Sequence, residues 1–191
     1  KNELVSLNGG SPLYGDKTKT DMGMALNSFW GYNYLGIYQN NGDAAYFTNQ
    51  SMKAGDSHYE DLNNDQLLNN SDNKYLGNPF PVVTFGLNLG ADFYGVDIQL
   101  FFQGVAGNKI YNALRIRTEG TGNDCTLGSQ MKDVWVGYED EEVQRYLSKY
   151  GYIYTDLENR EGTIPNPNGS TSNNATSSRF IEDGSYLRLK N

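Results

Sequence analysis

Oxygen-bearing side chains between residues 61 and 72 have the spacing of a calcium-binding loop. They form the pattern Asp61-x-Asn63-x-Asp65-x-Leu67-x4-Asp72, in which carboxylate and amide oxygens and the carbonyl of Leu67 would supply the hard ligands that Ca²⁺ prefers. Two positions depart from that pattern. Gln66 stands where the sharp turn favours glycine, and Asp72 is shorter than the usual bidentate glutamate. The alternative is an Asx-rich turn whose side chains bond their own backbone. Either structure predicts a surface loop.

Nucleophilic and acid–base chemistry has few candidate residues in this chain. There is one histidine, His58, in a polar stretch, and one cysteine, Cys125, in a loop without a neighbouring base. The acidic pair Asp140 and Glu141 begins a predicted helix, where acids interact favourably with the helix dipole. The sequence therefore predicts no enzyme and requires no cofactor, with Ca²⁺ as the one candidate ion.

Aromatic side chains alternate along an extended stretch near the start of the chain. Trp30, Tyr32, Tyr34 and Tyr38 share one face if the strand is regular. Rings on a wet surface can stack on sugar rings, which makes Trp30, Tyr32 and Tyr34 candidate binding residues. The alternative is that the rings pack against neighbouring strands.

The clearest periodicity lies between residues 83 and 104 and predicts a β-hairpin. Apolar side chains occupy every second position on both sides of Tyr94-Gly95: Val83, Phe85, Leu87, Leu89, Ala91 and Phe93, then Val96, Ile98, Leu100 and Phe102. Two architectures fit this pattern: a soluble β-sandwich, whose apolar face packs on a core, and a transmembrane β-barrel, whose apolar face contacts lipid. Periodicity does not separate them, although lengths of about 11 and 9 residues suit tilted membrane strands.

Polar segments flank the hairpin and predict long loops. One covers residues 40–80, and a second covers residues 105–178. Within the second, Glu139 to Tyr150 predicts a short helix, because apolar side chains recur at i, i+3, i+4 and i+7. Loops of that length usually carry a function.

Composition and charge narrow the function classes. The 191 residues carry 15 basic and 23 acidic side chains, for a net charge of −8, which argues against nucleic acid as a partner. The 22 glycines and 15 tyrosines favour β-structure with many turns. The chain has no initiator methionine and stops within a strand-like run, so we expect a fragment of a larger protein.

Several short stretches, in this order, resemble the SusC/RagA-type TonB-dependent transporters of the Bacteroidetes outer membrane. They are Asn27-Ser-Phe-Trp-Gly-Tyr32, Gly36-Ile-Tyr-Gln-Asn40, Gly55-Asp56 followed by Tyr59-Glu-Asp-Leu-Asn-Asn-Asp65, Tyr75-Leu-Gly-Asn-Pro79, Phe85-Gly-Leu-Asn-Leu89, Phe101-Phe-Gln-Gly-Val-Ala-Gly-Asn-Lys-Ile-Tyr-Asn112 and Arg179-Phe-Ile-Glu-Asp-Gly-Ser-Tyr-Leu-Arg-Leu-Lys-Asn191. Each stretch is weak alone, whereas the ordered set is specific.

The resemblance implies an all-β fold, as part of a 22-stranded antiparallel transmembrane barrel. Residues 1–191 would belong to its C-terminal half, without the plug, most strands or the final strand. Residues 83–104 would be a transmembrane hairpin, and residues 40–80 and 105–178 would be extracellular loops. The implied function is import of oligosaccharides or peptides across the outer membrane. The implied partners are a SusD-like surface lipoprotein, TonB and outer-membrane lipid.

The resemblance also adds candidate contacts in the long loop, which would lie beneath the lipoprotein. These are Trp135, Tyr138, Tyr152 and Tyr154, large stiff rings suited to interfaces. For Trp135, the alternative is that the ring packs in a small core formed by the loop itself and does not contact the partner. A soluble, calcium-stabilised β-sandwich that binds carbohydrate is the alternative to the whole hypothesis.

Overall fold

The computed structural model describes residues 3–7, 9–119, 129–137, 161–167 and 171–190. The chain divides into two compact units. Unit 1 comprises Lys1–Trp30, Tyr75–Tyr111 and Ile181–Asn191, and unit 2 comprises Gly31–Lys74 and Asn112–Phe180.

Strands dominate the described residues, and helices are few and short, as the all-β prediction requires. The strands are β1 (Leu13–Tyr14), β2 (Thr18–Thr20), β3 (Ser28–Tyr32), β4 (Tyr34–Ile37), β5 (Ser57–Tyr59), β6 (Asn73–Gly77), β7 (Val83–Phe93), β8 (Val96–Ala106), β9 (Lys109–Tyr111), β10 (Ile181–Asp183) and β11 (Tyr186–Leu189). The helices are α1 (Asn41–Ala44) and α2 (Ala113–Glu119), with single 3₁₀ turns at Asn70–Asp72, Ser129–Asp133, Thr171–Asn174 and Ser178–Phe180. Every helix in the described part of the chain is too short or too polar to traverse a lipid bilayer.

The longest strands, β7 and β8, form an antiparallel hairpin where the sequence predicts one. The register runs from Val83 opposite Ala106 to Phe93 opposite Val96. Tyr94 and Gly95 connect the strands, with φ of 48° and 78°. Positive φ at both central residues is the mark of a type I′ turn, whose twist matches that of the strands. The second strand ends at Ala106, two residues beyond the predicted end.

β11 extends this hairpin to three strands, in the order β11-β8-β7. Leu187 pairs with Gly104 and Leu189 with Phe102, so both leucines lie on the face that carries the alternate apolar residues of the hairpin. That apolar face consists of Val83, Phe85, Leu87, Leu89, Ala91, Phe93, Val96, Ile98, Leu100, Phe102, Leu187 and Leu189. The opposite face is mostly polar and includes Thr84, Asn88, Asp92, Asp97, Gln99, Gln103 and Arg188.

Unit 1 contains further short pairings. β1, β2, β3 and β6 form a four-stranded sheet in that order, and β9 pairs with β10. Lys109 of β9 contacts Asp183 of β10 at 3.1 Å.

β9, together with α2, occupies the start of the segment predicted as a loop at residues 105–178. A three-residue strand that pairs about seventy positions away leaves no local periodicity, and a seven-residue helix leaves little.

Unit 2 is built around a small aromatic and aliphatic core. Its buried residues are Tyr38, Ala44, Phe47, Met52, Tyr59 and Leu68. Tyr32 and Tyr34 pack against this core, and the antiparallel pair β4 and β5 supplies two of these rings, Tyr34 and Tyr59. Most of unit 2 comes from the two segments predicted as loops, which fold together through these contacts.

Buried polar groups fasten the later segments of unit 2 to the earlier ones. The carboxylate of Asp56, fully buried, accepts from the side-chain amide of Asn173 at 2.9 Å. The side-chain carbonyl of Asn173 accepts in turn from the backbone N–H of Ser57 at 2.7 Å. The backbone N–H of Asn166 donates to the carbonyl of Gly55 at 2.8 Å. Because buried polar groups are costly when unpaired, these bonds specify how the segments pack.

Candidate functional site

Unit 2 contains an open cleft of about 670 Å³. Both aromatic and acidic side chains line it. Its lining consists of Leu35, Ile37, Tyr38, Gln39, Gly42, Asp43, Ala45, Tyr46, His58, Tyr59, Glu60, Asp61 and Asn64. The size lies within the range of about 300–1,000 Å³ that is typical of small-ligand sites.

Tyr38 is one of the residues that line the cleft. Its backbone N–H donates to the carbonyl of Asp56 at 2.9 Å, and its ring stacks on the imidazole of His58 with centroids 4.4 Å apart. Only 2% of Tyr38 is exposed, and its hydroxyl has no hydrogen-bond partner among the described residues. Burial, together with the nearby Tyr46, Asp43 and Asp56, raises the pKa of Tyr38 to about 12.

Helix α1 places Asp43 at the rim. The side chain of Asn40, the N-cap residue, accepts from the backbone N–H of Asp43 at 2.9 Å, and its amide donates to the Asp43 carboxylate at 2.7 Å. The Asn40 side chain thus caps the start of the helix and also binds the Asp43 carboxylate. Tyr46 follows the helix, and its hydroxyl donates to Asp61 at 3.1 Å.

The charges of the cleft are not balanced. Glu60 is neutralised by Lys74 at 2.7 Å, and bonds from Lys74 and Asn33 lower the pKa of the Glu60 carboxyl. Burial lowers the pKa of His58, so the imidazole is neutral at pH 7. Within the described ranges, neither Asp43 nor Asp61 forms an ion pair with a cation. The cleft therefore has negative potential.

The residues of the predicted calcium loop make the hydrogen bonds of Asx turns. Asp61 accepts from the backbone N–H groups of Asn64 at 2.7 Å and Gln66 at 2.9 Å. Asp65 accepts from the N–H of Leu67 at 2.8 Å and from the side chain of Asn63 at 2.9 Å.

Asp72, the last ligand in the calcium prediction, is fully buried and closes the loop. Its two carboxylate oxygens accept from the N–H of Leu62 at 3.1 Å and of Asn69 at 2.9 Å. Across the described part of the chain, no three or more His, Cys, Asp or Glu side chains are grouped to hold a metal ion. Calcium binding here stays a prediction. The alternative is that the carboxylates only accept the backbone N–H groups just described.

The predicted aromatic stripe is divided in two. β3 ends at Tyr32 and β4 begins at Tyr34, in different sheets, so the alternation stops at Asn33. The rings of Tyr32 and Tyr34 contact Tyr59, with centroids 5.3 Å and 6.3 Å away. In unit 1, Lys19 lies 4.4 Å above the ring of Trp30. Binding by Trp30, Tyr32 and Tyr34 stays a prediction, and their described contacts are with the protein itself.

Trp135 is buried in unit 2. It is 2% exposed, its backbone N–H donates to the carbonyl of Ile164 at 2.8 Å, and its indole N–H donates to the side chain of Gln39 at 3.1 Å. A partner-binding role for Trp135 stays a prediction, and its described contacts are with Ile164 in the loop and with Gln39 outside it. Tyr138, Tyr152, Tyr154 and the predicted helix Glu139–Tyr150 lie outside the described residues.

Sequence reasoning did not assemble the cleft from Tyr38, Asp43, Tyr46 and His58. One local signal was available, since Asn40-x-x-Asp43 has the spacing of a capping box. The approach of His58 to Tyr38 depends on the pairing of β4 with β5 across about twenty residues, which no local pattern encodes.

Comparison with curated proteins finds two TonB-dependent receptors. TonB-dependent receptor P3 of Formosa agariphila is 27% identical over 204 residues, covering 100% of this chain and 18% of that protein. TonB-dependent receptor P26 of the same organism is 27% identical over 202 residues, with the same coverage. The chain thus spans about a fifth of the length of the curated relatives it matches. No family model matches the chain.

Comparison with solved structures finds the same kind of protein. The RagAB peptide transporter matches with a TM-score of 0.60 at 20% identity, over 93% of this chain and 17% of the other. The RagAB peptide importer in its open-open state matches with a TM-score of 0.67 at 19% identity, over 98% and 18%. The resemblance to TonB-dependent transporters of the SusC/RagA type is thereby confirmed, and the structural likeness supports the fold.

Proposed function

We propose that this chain is a segment of an outer-membrane transporter that imports oligosaccharides or peptides with energy from TonB. In this proposal the sheet of β7, β8 and β11 is a section of the barrel wall. Unit 2 is formed by extracellular loops that fold together. TonB would act through parts of the protein outside this sequence.

The observation that carries the proposal is the uncovered apolar face of the three-stranded sheet. Phe85, Leu87 and Leu89 in its middle each leave about half of their surface exposed. A soluble sandwich would cover such a face with a second sheet, whereas a barrel presents it to lipid. On the other side of β7, Asn88 and Asp92 suit a wet lumen.

The length of the hairpin agrees with a membrane span. β7 and β8 have 11 residues each, or roughly 36 Å at about 3.3 Å per residue. A tilt of about 45° leaves a height of roughly 25 Å, which is the apolar band of an outer-membrane barrel. Phe93 and Tyr94 pack edge to face at the turn, with centroids 4.5 Å apart, and such rings suit the interfacial girdle.

The relatives support transport without catalysis. The curated relatives are named as receptors and the matching structures as transporters, and import requires no covalent chemistry. A SusD-like lipoprotein is the proposed surface partner, because residues 105–178 would lie under a lid at the outer face.

Two gene deletions in the producing bacterium test the proposal. Deletion of the transporter gene should abolish energy-dependent cargo accumulation, and deletion of TonB should do the same in cells that keep the transporter. Labelled oligosaccharide and peptide mixtures should be compared as cargo. Accumulation that persists in both strains would contradict the proposal.

The lid partner has a separate test. Residues 123–178 are replaced by a short Gly/Ser linker, and co-purification with the lipoprotein is measured beside import. We expect both to fall while the barrel still assembles. Unchanged co-purification and import would show that this loop has neither role.

A further inference from the structure

We propose that the cleft of unit 2 binds the cationic side chain of a peptide, a lysine or an arginine, through Asp43, Tyr38 and Tyr46. The inference rests on the proposed import function, because it names a class of cargo that would be retained at the extracellular side. The site is formed entirely within unit 2, by residues between 31 and 74.

The first argument is charge. Asp43 and Asp61 are acids without a described cationic partner, while Glu60 is already paired with Lys74. His58 is neutral at pH 7 because its pKa is lowered by burial. An anionic sugar or acidic peptide would be repelled, whereas an ammonium or guanidinium group would be attracted.

The second argument is the unsatisfied phenol of Tyr38. A buried hydroxyl without a partner is unfavourable. Tyr38 is among the residues that line the cleft, and Asp43 and Tyr46 are close enough to its hydroxyl to raise its pKa. An N–H donor from a bound cation would satisfy its oxygen. Asp61 is less available, since its oxygens already accept from Tyr46, Asn64 and Gln66.

The third argument is the aromatic lining. Tyr46 is 40% exposed at the rim, where its ring can contact the aliphatic stem of a long side chain or the cation itself. The cleft volume of about 670 Å³ admits such a side chain with part of its peptide backbone. A strongly hydrated inorganic cation would make no use of the ring.

The test uses the complete transporter purified in detergent and three peptides of equal length. Ala-Lys-Ala, Ala-norleucine-Ala and Ala-Glu-Ala differ only in the central side chain, and maltotriose represents neutral glycans. We expect the lysyl peptide to bind most tightly, by about fivefold over the norleucine peptide, and the preference to shrink in high salt.

Two variants identify the residues. Asp43→Asn should remove most of the fivefold preference. Tyr38→Phe should weaken lysyl binding and raise the melting temperature of the unliganded protein, because it removes an unsatisfied hydroxyl but keeps the ring. A hydroxyl with only a structural role would not lower affinity. Asp16→Asn, the loss of an exposed acid in unit 1, is the matched control and should change neither property.

The outcomes separate this inference from the import proposal. Equal binding of the lysyl and norleucine peptides, tighter binding of maltotriose, or an unaltered preference in Asp43→Asn would each overturn the inference. Cargo uptake by intact cells, measured in parallel, reports on import. Uptake that persists without a lysine preference leaves import standing and rejects only the cleft.

Discussion

Glu119 and Arg179 form an ion pair at 2.6 Å, and the two side chains are only 5% and 4% exposed. Arg115, one helical turn before Glu119, binds the other oxygen of the same carboxylate at 2.8 Å. Arg115 also donates to the backbone carbonyl of Arg179 at 2.8 Å. The cluster therefore joins α2, at the start of the long loop segment, to the turn Ser178–Phe180 at its end.

Loss of the shared carboxylate should loosen both ends of that segment. Glu119→Gln leaves two guanidinium groups without their counter-charge, and removal of one partner from a buried pair costs roughly 3–5 kcal/mol. We expect α2 to lose protection from hydrogen exchange, while the hairpin of β7 and β8 keeps its own. Glu161→Gln, at an exposed site, is the control and should change exchange little. Equal protection of α2 in both variants would mean that the ion pair is not what holds this junction.

The two faces of β7 should respond differently to charge. Leu89→Lys places an ammonium on the apolar face near mid-strand, where a lipid environment makes it cost roughly 2–4 kcal/mol. Asn88→Lys, one residue earlier on the opposite face, should cost little. The measurement is the urea dependence of folding into phospholipid vesicles. Equal destabilisation by both substitutions would remove the support for a membrane-facing sheet.

This hairpin is also the part of the fold that the sequence predicts best. Strict alternation over ten positions determines which side chains share a face, and a two-residue connection fixes the register. The short strands are harder to predict from the sequence. β4 and β5 have four and three residues and pair with a shift between Tyr34 and Gly36, so their contacts depend on tertiary packing.

The candidate site was predictable only in its residue types. Acids and aromatic rings are visible in the sequence, but which of them meet depends on the burial of Tyr38 and Tyr59 in one core with Ala44 of α1. The alternation that predicts one face for Tyr32 and Tyr34 ends at Asn33, where the chain leaves β3 and enters β4 in another sheet. The carboxylate of Asp72 could bind a metal ion, but its oxygens already accept hydrogen bonds from the backbone N–H groups of Leu62 and Asn69.

Acidification should destabilise unit 2 through His58. Burial lowers the pKa of this imidazole below its ordinary 6.5, so the unfolded state binds the proton more readily. The contribution is fully present above pH 6.5 and is lost as the pH falls below that value. We expect local stability, followed by hydrogen exchange in β4 and β5, to fall as the pH drops below 6.5. His58→Gln should flatten the dependence. An identical slope in this variant would assign the effect to other groups.

Calcium removal tests the loop from Asp61 to Asp72. The carboxylates already accept backbone amides, so we expect the loop to keep its structure in excess chelator, with little change in the protection of Asn64 and Gln66 from exchange. Asp61→Asn should destabilise the loop equally with and without calcium. A marked gain in protection on adding millimolar Ca²⁺, absent in Asp61→Asn, would instead establish the metal site.

Gly55 should be difficult to replace, because it meets two constraints at once. Its φ is +91°, a conformation that side chains rarely adopt, and an added Cβ would lie 2.6 Å from the ring of Trp135. Gly55→Ala must therefore push the indole away from its bond with Gln39, and overpacking of this kind costs about 1–3 kcal/mol beyond the backbone strain. Gly23→Ala separates the two effects, since Gly23 has φ of +78° with no atom within 4 Å of an added Cβ.

We expect Gly55→Ala to shift the emission of the buried Trp135 toward that of a solvated indole and to speed thermolysin cleavage in unit 2. Gly23→Ala should do neither. Similar small effects of both substitutions would show that Trp135 yields to the methyl group without cost, and that its packing against residue 55 does not fasten the loop segments together.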